Sequence, residues 1–130
     1  MLTDPAPTIA PTTTSPSSEP TLGRAGAFIA SSGFGEVRPP AFSNGGDPTG
    51  SVGSVQWDSW GSSTATGTGI STYVGPDQAV AEGTHEQASI VAFDIGDCGG
   101  QTAYRQVEWF FPQHGQSFDE RVAEDICTGP

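Results

Sequence analysis

The chain has 130 residues, 18 Gly, 11 Pro and a formal net charge of −11, with four arginines and no lysine against fifteen acidic residues. One domain is the expectation at this length. The acidity excludes a phosphate-tracking nucleic-acid binder and an anionic-lipid binder, leaving a neutral partner, a cationic one or a metal ion. Three Trp, two Tyr and seven Phe all lie from Phe28 onward, so a core is expected there and not upstream.

Residues 1–22 (MLTDPAPTIAPTTTSPSSEPTL) are Thr/Pro/Ser-rich and hold too little apolar surface to offset the backbone entropy of ordering. They are expected to form a disordered leader, a stalk or spacer open to O-glycosylation. Residues 23–130 then make a single small β domain, folded from about residue 34. The opening Met1-Leu2-Thr3-Asp4-Pro5 lacks the basic and apolar regions of a secretory signal. The expectation is an export signal upstream of this sequence, because the leader has the character of an extracellular tether. No lipid-attachment cysteine is present, and no run of about 20 apolar residues predicts membrane insertion.

From Ala25 to Ala30 the chain suits a short helical turn or an edge strand. Residues 36–42 read as extended, since a residue before proline avoids the α region. Ser43 to Gly50 is turn material. Strands are predicted at 52–58, 64–74, 87–95 and 102–111. The second places Thr64, Thr66, Thr68, Ile70, Thr72 and Val74 on one parity, with glycines opposite that admit a bulge or a large neighbour such as Trp57 or Trp60. The third carries Val91, Phe93 and Ile95 on one side and Ala88, Ile90 and Ala92 on the other. Residues 94–100 are expected to close a hairpin into the fourth, which carries Val107, Trp109 and Phe111 on one parity. The tail from Pro112 reads as coil, with a turn of helix near 120–125. The fold class is all-β, an antiparallel meander or half-open barrel behind the disordered leader.

Cys98 and Cys127 lie in no C-x-x-C pair. In an oxidising compartment they form one disulfide, worth about 3–4 kcal/mol on the chain-entropy account. Two buried thiols are the alternative.

Trp57-Asp58-Ser59-Trp60-Gly61 followed by Ala65-Thr66-Gly67-Thr68-Gly69 resembles the W-x-x-W-G…A-x-G-x-G stretch of small secreted actinobacterial proteins without a described activity. Gly46-Asp47-Pro48-Thr49-Gly50 matches the Gly/Asp-rich turn that precedes it there. The likeness spans about half the chain. It implies an exported protein with a small β domain, in the cell envelope or secreted, and carries over no catalytic residue or cofactor.

No nucleophile elbow, H-x-H or H-E-x-x-H spacing accompanies His85 and His114. Asp94 and Glu108 fall on adjacent predicted strands and are the one pair that could approach as two carboxylates do in a glycosidase. Glu108 paired with Arg105 or Arg38, or simply facing water, is the alternative. Asp94, Asp97 and the loop Asn44–Asp47 offer oxygen ligands for calcium but lack the D-x-[DN]-x-[DN]-G pattern. Gly67-Thr68-Gly69 lies in a strand without the helix a nucleotide-binding loop needs. The expected function is therefore non-enzymatic, a secreted or envelope binding module. Its candidate contact surface is Trp57, Trp60, Trp109 and Phe110. The alternative is a small envelope hydrolase working through Asp94, Glu108 and His114.

Overall fold

A computed structural model describes residues 19–46 and 48–128. Seven strands form one sheet: β1 (Thr21–Leu22), β2 (Phe42–Ser43), β3 (Ser51–Trp57), β4 (Ala65–Tyr73), β5 (Thr84–Cys98), β6 (Gln101–Phe110) and β7 (Glu124–Asp125). Their order is β1-β6-β5-β4-β3-β2, with β7 also on β6. β3 to β6 are the antiparallel meander expected from period-two patterning; β1 joins β6 in parallel.

The sheet curls on itself and stays half open. Phe42 at one edge meets Trp109 of β6 edge-on at 5.4 Å, and the Asn44 amide donates to Glu124 of β7 at 3.2 Å. Segment 23–42 closes the inner face by a run of tilted rings, Phe28 on Phe34 and Phe34 on Phe42. Leu22, Phe42, Val52, Ile90, Tyr104, Val107 and Ile126 are all at most 1% exposed and form the core.

On β4 the inward residues are the small ones, Ala65, Gly67, Gly69 and Ser71, while Thr66 and Thr68 face outward and Thr72 is buried. A Cβ on Gly67 would lie 2.5 Å from the Gln56 carbonyl oxygen and 3.1 Å from the Trp57 ring. The large neighbour expected opposite the glycines is thus Trp57. Trp57 in turn meets Trp60 at 4.7 Å, and Trp60 meets Tyr104 at 5.1 Å.

Two expectations about the β5–β6 hairpin change. The hairpin expected over 94–100 is strand as far as Cys98, and the turn is Gly99-Gly100 alone. Both have positive φ (+65° and +92°), the requirement of a two-residue turn matched to strand twist. Ile95 does not share a face with Val91 and Phe93. Ala92 opposite Val107 and Ile95 opposite Tyr104 both turn to the core, although three residues separate them on each strand. The alternation breaks at Asp94, whose φ is +61°. Aspartate tolerates this left-handed state better than most residues. Arg105 Nε donates to the Asp94 carbonyl at 3.1 Å, and Arg105 Nη2 to its carboxylate at 2.8 Å.

The boundary at residue 22 also moves. Thr21 and Leu22, assigned to the leader by composition, form β1 against Ala103 and Tyr104 and are buried. Residues 1–18 of the expected leader lie outside the described residues. Ala25–Ala30 forms neither helix nor strand, only turns. The tail makes a 3₁₀ turn at Glu120–Val122 and then β7. β1, β2 and β7, two residues each, were unforeseen because pairs so short carry no periodicity.

Candidate functional site

All four residues expected to form a contact surface are partly buried. Trp57, Trp60 and Trp109 pack against the core, and each indole N–H donates to a backbone carbonyl: Pro39 at 2.9 Å, Pro20 at 3.0 Å and Thr49 at 3.2 Å. A partly buried indole N–H usually finds such a partner, and here the partners hold three loops to the sheet. Phe110 is half-buried, on the parity opposite Trp109.

Asp94, Glu108 and His114 are held apart. Glu108 stands opposite Val91 on β5, three residues from Asp94, or ~10 Å along the strand. His114 bonds Glu86, eight residues from Asp94 and ~26 Å along the same strand. Each has its own partners. Arg105 and Gln106 hold the Asp94 carboxylate, and the Gln106 hydrogen bond, then Arg105, keeps its pKa below the ordinary value.

Glu108 is 8% exposed and pairs with neither Arg105 nor Arg38; Arg38 bonds Glu19 instead. It lies under the tail, where Phe118 packs edge-on against Phe93 at 5.1 Å and the Asp119 N–H donates to Glu108 Oε1 at 2.7 Å. Burial raises its pKa, opposed by that N–H and aided by the Asp119 charge. A raised carboxyl favours folding below its unfolded value of 4.5 and opposes it as pH rises through the folded value. Glu108→Gln keeps an oxygen for Asp119 and removes the buried charge. Its unfolding free energy at pH 7 is expected to rise by about 1 kcal/mol, with the gain shrinking as pH falls toward 4.5. Urea titrations at the two pH values check this.

At the open end of the barrel sits a constellation that sequence spacing did not reveal. His114 stacks on Tyr73 with ring centroids 3.6 Å apart and planes 2° from parallel, and its Nε2 lies 2.7 Å from Glu86 Oε1. Glu86 also accepts from Thr84 and Gln113. The Thr84 hydrogen bond, then that to His114, lowers its pKa. The 3₁₀ turn Pro112–His114 is thereby pinned over the end of the sheet. Glu86 and His114 are 28 residues apart in sequence, which is why only the fold could pair them.

Two adjoining clefts, about 390 and 220 Å³, lie on β3, β4 and the start of β5 and share Ser54 and Ile70. They follow from a bulge in β3: Gly53 stands opposite Ile70 and Gln56 opposite Thr68, one residue too many for a regular ladder. Ser54 takes up the extra residue at φ +50°, a conformation costing a serine about 1–2 kcal/mol. Ile70 is 43% exposed between the clefts.

A third cleft, about 280 Å³, gathers Asp94, Asp97 and Asp125 beside the disulfide. Among the described residues no group of three or more His, Cys, Asp or Glu side chains is arranged to hold a metal ion. Asn44 is engaged by Glu124 and the Gly46 N–H, and Asp47 lies outside the described residues. Cys98 and Cys127 are disulfide-bonded, as the spacing predicted, joining the β5–β6 hairpin to the tail with a Cα separation of 5.6 Å. Among the described residues no helix is long and apolar enough to cross a membrane.

The class these features define is a disulfide-stapled, half-open β-sheet domain. No protein-family model, curated protein or solved structure matches the chain.

Proposed function

We propose that this chain is a non-enzymatic domain of the cell envelope or extracellular space that acts by binding a neutral or cationic partner. The observation that carries the reading is the dispersal of Asp94, Glu108 and His114, each committed to a separate structural contact. General acid–base chemistry needs such groups within hydrogen-bond reach of one reacting site. The Cys98–Cys127 disulfide supports an oxidising compartment, and so does the resemblance of Trp57–Gly69 to exported proteins.

Both parts are testable. Native protein alkylated before reduction is expected to carry the intact disulfide in essentially all molecules by mass spectrometry; two alkylated cysteines would remove the support for export. Against a panel of chromogenic esters and glycosides, the wild type is expected to turn over nothing above buffer. Turnover that disappears in Asp94→Asn, Glu108→Gln or His114→Ala would overturn the binding reading in favour of a hydrolase.

A further inference from the structure

Charge is distributed unevenly along this acidic chain. Between Asp47 and Asp77 the single formally charged side chain is that of Asp58, although fifteen acids and four arginines are spread over the whole. β3 and β4 contain no Asp, Glu, Lys or Arg. The fold concentrates this neutrality at one place, since among the described residues those lining both clefts that share Ser54 and Ile70 include no carboxylate, ammonium or guanidinium group. His85 is the one imidazole there.

What the clefts present instead is a set of hydroxyls and primary amides around one apolar centre. Ser54, Gln56, Thr68 and Gln87 border the smaller cleft, and Thr72 and His85 the larger. The ladder pairs Ile70 with Gln87 and Thr72 with His85 on one parity, with Ile70, Gln87 and His85 exposed and Thr72 buried at the base of the larger cleft. Ile70 rises exposed in their midst. The bulge that opens the cleft sets Ser54 in a left-handed conformation that nothing in a regular strand would require. Residues in such sparsely populated conformations cluster at ligand-binding surfaces.

Resting on the reading that the domain binds rather than catalyses, we infer that this bulge cleft is the binding site and that its ligand is a neutral polyhydroxylated chain, a glycan of the envelope. An anionic polymer meets a molecule of net charge −11, and a cationic one finds no carboxylate to pair with among the described residues that line the cleft. A pyranose ring matches what is present. Its C–H face covers an exposed aliphatic side chain, and its hydroxyls both donate and accept, as Ser, Thr and Gln do. A peptide strand is disfavoured because the edge of β3 is already occupied. β2 pairs with its first residues, the Val55 N–H donates to the Pro40 carbonyl, and Trp57 is tied to Pro39. Main-chain addition, the usual source of affinity for an extended peptide, is closed at that edge.

The test is an NMR titration of the isotopically labelled full chain with neutral oligosaccharides of mannan, dextran and β-1,3-glucan. Alginate oligosaccharides and a neutral Thr/Pro/Ser peptide serve as comparators. At least one neutral glycan is expected to shift amides in 53–56, 68–72 and 85–87. Ile70→Asp and Gln87→Glu, both at exposed positions, are expected to weaken it by about tenfold or more with the unfolding midpoint unchanged, while Ile70→Val retains it. Glycan-induced shifts confined to other surfaces, or binding indifferent to the two charged variants, would overturn the cleft assignment. Shifts at the cleft from the peptide or alginate alone would overturn the glycan. No shift from any neutral glycan overturns the inference as a whole. None of these results restores a hydrolase, which only turnover of the chromogenic panel would do.

Discussion

Replacing Cys98 and Cys127 together by alanine is expected to lower the unfolding free energy by about 3–4 kcal/mol, read as an earlier urea midpoint by tryptophan fluorescence. The bond closes a loop with a sequence separation of 29, and its absence frees that loop in the unfolded chain. The folded state changes less, because the tail it anchors has further attachments. Ile126 is fully buried, its N–H donates to the Arg105 carbonyl, and its own carbonyl accepts from Arg24. Arg24 Nε also donates to the Cys127 carbonyl at 2.8 Å. Reduction of the wild type with dithiothreitol is expected to reproduce the variant's midpoint. A loss below about 1 kcal/mol would mean that these contacts, and not the covalent loop, hold the tail.

Phe42→Ala is expected to cost about 3–5 kcal/mol in the same measurement. Phe42 is 1% exposed and is the joint at which the sheet closes, with Phe34 on one side at 5.7 Å and Trp109 on the other at 5.4 Å. Truncation opens a cavity that the neighbours cannot readily fill. Phe34 is tied to the chain reversal at Gly33, where a Cβ would lie 2.1 Å from the Ala41 carbonyl oxygen. Trp109 is held by its bond to Thr49. Phe42→Leu, which keeps most of the volume, is expected to lose less than half as much. Equal losses from both variants would show that ring-to-ring geometry, not filled volume, matters at the joint.

The two expectations differ in how early they could be framed. The disulfide needed only two cysteines and an oxidising setting. Phe42 was visible in the sequence merely as the end of an extended segment, and nothing local announced that it would meet a tryptophan 67 positions later. How much of the candidate contact surface is covered has a related origin. Period two placed Trp109 and Phe110 on opposite faces correctly, but which face would be covered, and by what, depended on segments remote in the chain. Segment 23–42 took the inner face, and the tail, through Phe118, took part of the outer.

What the sequence determined by itself was whatever rests on nearest neighbours and alternation. That includes the all-β class, the four long strands, their antiparallel meander, the small residues opposite a tryptophan on β4, and the cysteine pair. Tertiary structure alone decided the rest. Strands of two residues exist only because a partner already offers a ladder, so β1, β2 and β7 leave no trace in composition. The left-handed Asp94 reverses the facing of Ile95, and its carbonyl is held by Arg105 across the hairpin. Glu86 and His114 meet at the barrel end, Glu108 is buried by a returning tail, and the neutral cleft opens at Ser54 where β3 and β4 slip by one residue. Each of these is a contact between residues far apart in the chain, and the energy of such a contact belongs to the pair, not to either local sequence.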